Sequence, residues 1–330
     1  MHTSLSKHGL GLALGSGAAR GLAHIGVLKV LEEADIPIDI ITGTSMGAFI
    51  GAMYAAGVPV AQMEQVALEI DWLSMARLLA PVMPTSGLTD GKKLVAFMAE
   101  LLPARDFTDL RQILAVTATD INTGEAIIIK QGDLLEALRA SLAFPGIFPP
   151  VRFGTRFLVD GGLCNPIPTD VARHLGAKKV IGVCTIPAVV KKTPETFLPS
   201  RHGSAKTIKR WRDFFSTHRI EQAFRSALGQ ETDEPYEASD NLNVPDDLNI
   251  PDNLKAPNIF RVCAQSVAIM ENVINELHLR QNPDDLILRP ALDEITLLEF
   301  HRAEEIIAAG EASARTALPQ IKELLSTLNP

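Results

Sequence analysis

The stretch that most constrains this chain is DIITGTSMGAFIGAMYAAG, residues 39–57. An apolar run climbs to Ser45, which stands between Gly43 and Gly47, and small residues at helical spacing follow until Gly57. That order reads as a buried strand, a turn too tight for large neighbours, and a buried helix. The wider run 36–61 is long enough to span a bilayer, but Pro37, Asp39, Pro59 and the interior glycines argue for the strand and helix instead. A serine so placed is thrust out at the carboxyl end of a strand, with the unpaired N–H groups of a helix start behind it. GTSMG is thus a candidate nucleophile elbow, with Gly43, Thr44, Met46 and Gly47 around Ser45. The plainer alternative is a β–α turn whose serine only caps the helix.

The rest of the first half supplies the sheet such a turn needs. GLALG, IDIIT, LAVTATDI, AIIIK, RFLVDGG and KKVIGVCTI read as strands, and AHIGVLKVLEEAD and SMGAFIGAMYAAG as helices between them. Alternation of this kind predicts an α/β fold with a central, largely parallel sheet flanked by helices. At 330 residues the chain can bury a large core. A net charge of −8 argues against nucleic acid as the main partner. Cys164, Cys184 and Cys263 are too few and too widely spaced for a disulfide framework or a zinc site, and read as buried thiols. Lys7 and His8 before GLGLALG superficially resemble a secretory signal, but the apolar run leads straight into a glycine loop; the expectation is a cytoplasmic protein without a transmembrane segment.

Three segments follow: 1–187 as the catalytic core, 188–258 as an insertion, and 259–330 as helices and a short strand completing the core. The insertion is basic, then acidic and punctuated by proline, and reads as helical or irregular: a lid, a membrane foot or a disordered segment. IKRWRDFFSTHRIEQAF within it has an amphipathic pattern, so the basic stretch 201–228 is a candidate for peripheral membrane contact or for binding a partner. WLSMARLLAPVMP, residues 72–84, is apolar and proline-ended, and reads as a buried helix or as the flank or cover of a pocket.

Two further motifs accompany the elbow. LGSGAARG places Gly15, Gly17 and Gly21 between a strand and a helix, where backbone N–H groups gather around an anion. It is either a dinucleotide loop, with Arg20 in place of the third glycine, or an oxyanion hole facing Ser45. LVDGG ends a strand on Asp160, followed by Gly161 and Gly162; Asp-Gly is also an ordinary turn signal. Of the histidines that could serve the serine as a base, His174 and His301 follow Asp160 in the chain without a suggestive neighbourhood, and His24 lies in the first helix just after the glycine loop.

GSGAARG, then GTSMG on the next strand, then DGG after a long gap, resembles the patatin-like phospholipases, in the style of the bacterial members related to the neuropathy target esterase domain. SLAFPGIFPPVRF and NPIPTDVARHLGA read like that family, as does the tail LRPALDEITLLEFHRAEEIIAAG. The resemblance implies a patatin-like fold and a serine lipid acyl hydrolase with a Ser–Asp dyad, no metal and no cofactor. On this chain Ser45 is then the nucleophile and Asp160 its base. Gly15, Ser16, Gly17, Ala18, Ala19, Arg20 and Gly21 form the oxyanion loop, with the N–H groups around Gly17 and Ala18 favoured. Ser16 and Ala18 stand where many relatives carry glycine. The implied partner is an acyl-ester lipid; the oligomeric state is open. A His-assisted esterase of small soluble esters and a non-catalytic protein on the same fold are the competing expectations.

Overall fold

The computed structural model describes residues 9–69, 89, 91–186, 259–281 and 286–327. The expectations for 72–84 and for the insertion, including 201–228, lie outside the described residues. Among the described residues eight strands form one sheet: β1 (Leu10–Leu14), β2 (Ile40–Thr44), β3 (Ile113–Asp120), β4 (Ala126–Ile129), β5 (Val151–Phe153), β6 (Arg156–Asp160), β7 (Lys179–Val183) and β8 (Leu286–Leu288). The hydrogen-bonded order is β5-β6-β3-β2-β1-β7-β8, with β4 also paired to β3. From β8 through β3 the pairs are parallel; β4, β6 and β5 join antiparallel.

Among the described residues the helices are α1 (Ala23–Glu33), α2 (Met46–Ala55), α3 (Val60–Glu69), α4 (Lys92–Leu101), α5 (Leu134–Ser141), α6 (Thr169–His174), α7 (Ile259–Gln281) and α8 (Ala303–Ser326). Among the described residues, no helix is long and apolar enough to cross a membrane. Every residue of β1 and β2 is buried, as expected of central parallel strands covered on both faces. Such strands hold polar side chains only when these find partners. Thr42 and Thr44 of β2 do so by donating to the Pro168 and Asn165 carbonyls, each at 2.8 Å. The NPIPTD stretch is thereby tied to the end of β2.

Strand register brings the carboxyl ends of β2 and β6 together. β4 pairs residues 116–119 of β3, so it occupies one edge there. β2, pairing 113–117, and β6, pairing 118–120, must share the other edge. They approach from opposite directions: Thr44 lies opposite Thr117 and Asp160 opposite Ala118. Adjacent β3 residues therefore face the last residues of both strands, and Ser45 comes next after Thr44. The β1 end, Leu14, lies opposite Gly43, so the glycine loop starts at the same rim. The tail reaches it too: Ala19 N–H donates to Leu297 O at 3.0 Å, and Arg20 Nε to Ile295 O at 2.7 Å.

Candidate active site

Ser45 sits at φ 55°, a left-handed conformation that non-glycine residues rarely adopt. Its position is held from both sides. The Ser45 N–H donates to Ser141 Oγ at 2.8 Å, and that hydroxyl donates to Thr117 O at 2.7 Å. The tight turn explains the small neighbours. A Cβ at Gly47 would collide with the carbonyls of Leu14 and Gly15, and one at Gly43 with the backbone of Ala48.

Ser45 Oγ donates to Asp160 Oδ2 at 2.6 Å. The other carboxylate oxygen, Oδ1, accepts from Gly162 N–H at 2.9 Å. The Asp160 backbone is fixed by its N–H donating to Ala143 O at 3.0 Å and by Thr119 Oγ1 donating to its carbonyl at 2.8 Å. Burial pushes the Asp160 carboxyl up from 3.8 to about 6, against the lowering pull of its bonds from Ser45 and Gly162.

In the glycine loop, most amides are committed. Gly15 N–H donates to Val183 O, Ser16 N–H to Pro166 O, Ala19 N–H to Leu297 O and Arg20 N–H to Gly17 O. Residues Ala18–Leu22, including Ala19, Arg20 and Gly21, wind into a 3₁₀ turn that leads into α1. Among the described residues the N–H groups of Gly17 and Ala18 have no acceptor. They are the loop donors left to meet an anion, and Ala18 is held at φ 49°. Gly21 packs against Met46 of the elbow.

Each of these histidines has another place. His24 is fully buried, and its Nε2 lies 2.8 Å from Gly15 O. A carbonyl only accepts, so Nε2 carries the proton. Burial lowers the imidazole from 6.5 to about 4, which keeps it neutral. His174 Nδ1 bonds the Asp170 carbonyl of its own helix at 2.8 Å, and His301 is exposed. Among the described residues, the Ser45 hydroxyl meets a carboxylate, not an imidazole. Of the cysteines expected to be buried, Cys184 is, whereas Cys164 is only partly so, its Sγ 3.0 Å from Thr119 Oγ1.

Sequence reasoning missed two side chains here. Ser141 lies in SLAFPGIF, a stretch that pointed to the family without suggesting a role for any one residue. Glu271 on α7 is buried within reach of the loop: Ser16 Oγ donates to its Oε1 at 3.3 Å. An acid amid the apolar residues of AIMENVI was the available signal.

Residues 12–173 match the family described as patatin-like phospholipase. The mouse patatin-like phospholipase domain-containing protein 6 is 37% identical over 187 residues, which are 54% of this chain and 14% of that protein. This chain thus spans only a small part of that relative's length. An uncharacterised NTE family protein of Mycobacterium tuberculosis is 29% identical over 333 residues, covering 93% of this chain and 90% of its own. Lysophospholipase nte1 of Aspergillus fumigatus is 28% identical over 321 residues, 96% of this chain and 19% of that protein.

Proposed function

The chain carries a patatin-like phospholipase domain over residues 12–173, and from that premise we propose that it is a serine lipid acyl hydrolase working through an acyl-enzyme on Ser45. The observation that carries the reading is the 2.6 Å hydrogen bond from Ser45 Oγ to Asp160 Oδ2. Asp160 takes the hydroxyl proton as Oγ attacks the ester carbonyl. A carboxyl raised to about 6 is a stronger base than an ordinary aspartate and is still ionised at neutral pH. The developing oxyanion takes the N–H groups of Gly17 and Ala18, with the N-terminus of α2 behind it. Asp160 returns the proton to the departing alcohol. It then deprotonates the water that attacks acyl-Ser45, and the freed Ser45 recovers its proton.

The substrate class in this reading is an acyl-ester lipid of the phospholipid or lysophospholipid kind, in keeping with the names of the relatives. Peripheral contact with a lipid surface through 201–228, and division into a core, an insertion at 188–258 and a C-terminal part from 259, belong to the same proposal.

A fluorophosphonate probe read by intact mass tests it. Wild-type protein is expected to take one adduct, Ser45→Ala none, and Asp160→Asn one that forms far more slowly. Equal labelling of wild type and Ser45→Ala would refute the assignment. So would a folded wild-type protein inert to the probe and to lipid esters, with and without vesicles.

A further inference from the structure

The mechanism above gives Glu271 no work, yet this side chain touches both halves of the site. It is 6% exposed. On one side its Oε1 accepts from Ser16 Oγ, one residue ahead of the Gly17 and Ala18 amides. On the other it presses on Gly162, where an added Cβ would collide with the same Oε1. Gly162 in turn donates its N–H to Asp160 Oδ1. One buried carboxyl thus braces the loop and the turn that holds Asp160.

Two carboxylates this close and this dry resist being ionised together. Hydrogen bonds decide which keeps the charge. Asp160 receives two short ones, at 2.6 and 2.9 Å, whereas Glu271 receives one at 3.3 Å. Other charged groups facing Glu271 bear on the balance. Asp160, from β6, disfavours a charge on it, and Arg20, from the 3₁₀ turn, favours one less strongly. Arg20 is itself shared with Glu299 and Asp293. Burial first, and the Asp160 charge second, push Glu271 up from 4.5 to about 8.

We propose that Glu271 is a positioning residue that works as a neutral acid, tethering Ser16 so that the Gly17 and Ala18 amides stay aimed, and leaving the negative charge at the dyad to Asp160. The inference rests on the hydrolase reading. Ionised Glu271 would set a second negative charge beside the point where the oxyanion forms, so the active form is lost on the alkaline side.

The test is the pH profile of ester hydrolysis for wild type, Glu271→Gln and Glu271→Ala, with the Glu271 carboxyl followed by carbon-13 NMR in the full chain. Glu271→Gln mimics the neutral acid. Its kcat/KM is expected to stay within about threefold of wild type near neutrality and to hold its plateau where wild type declines. The wild-type decline is expected near pH 8, where the carboxyl itself titrates. Glu271→Ala is expected to lose about tenfold or more in kcat with little change in KM, because the oxyanion donors drift. If Glu271→Ala does not fold, the Gln variant and the NMR titration decide. An alkaline limb identical in wild type and Glu271→Gln, or a carboxyl titrating in the ordinary range, overturns the inference while leaving Ser45 and Asp160 untouched. A wild-type protein that hydrolyses no ester and takes no fluorophosphonate refutes the hydrolase reading, and the proposed role of Glu271 falls with it.

Discussion

Asp160→Asn should make the protein more stable while it disables the proposed chemistry. In the folded chain the carboxyl is raised from 3.8 to about 6, chiefly by desolvation. A raised acid is penalised in its ionised form. Folding therefore loses stability as pH climbs from the unfolded value through the folded one, and suffers no such loss below both. The full shift is about two units, or roughly 3 kcal/mol at about pH 8; at about pH 5, partway through the window, the penalty is roughly 1.6 kcal/mol. Asparagine has nearly the same shape. Its Oδ1 can still accept from Gly162 N–H, and its Nδ2 can donate to Ser45 Oγ, so little packing is lost. Urea unfolding of both proteins at the two pH values reads the effect directly. The expected result is an Asn variant more stable than wild type, with an advantage that grows by about 1.4 kcal/mol from the lower pH to the higher. An advantage that does not change with pH, or a less stable variant at the higher pH, would refute the claim that Asp160 is held in a desolvated site.

The same shift sets an acid limb: kcat/KM should rise about tenfold per pH unit below about 6 and level off between there and the alkaline decline near 8, and a profile still flat at about pH 5 would remove Asp160 as the base. Ser141→Ala strips the hydroxyl that bridges Ser45 N–H and Thr117 O. Leaving two buried backbone groups unpaired should lower unfolding free energy by about 1–3 kcal/mol and reduce kcat more than it changes KM; unchanged melts and rates would show the bridge to be dispensable. Ala18→Gly, unlike most alanine-to-glycine changes, should be neutral or stabilising by up to about 1 kcal/mol. Ala18 is at φ 49°, where glycine is at ease and alanine is strained; a clear drop in melting temperature would contradict this.

Local pattern carried much of the architecture. The apolar runs of β1, β2, β3 and β7 and the small-residue helix after Ser45 could be read because strand and helix periods are written into consecutive residues. Several elements were not read. β5 is only three residues long, too short to show an alternation, and α3, α4 and α5 span only eight to ten residues each. Ala18 raised the right question at the sequence level, since alanine replaces a frequent glycine there. Only the backbone angle shows that the chain accepts a strained residue at that point.

The sequence by itself determined an α/β chain with a serine on a tight strand-to-helix turn, a glycine loop one strand earlier and an Asp-Gly-Gly strand end far downstream. Those are local facts, fixed by residue size, periodicity and turn chemistry. Tertiary structure decided which of them meet. β2 and β6 share one edge of β3 and end head to head, so residues 45 and 160 become hydrogen-bonded neighbours. The commitments of the loop amides to Val183, Pro166 and Leu297, the Ser141 bridge and the buried Glu271 depend on contacts between segments as much as 278 residues apart. No local rule encodes such contacts, because burial and hydrogen-bond partners are properties of the assembled core rather than of any stretch within it.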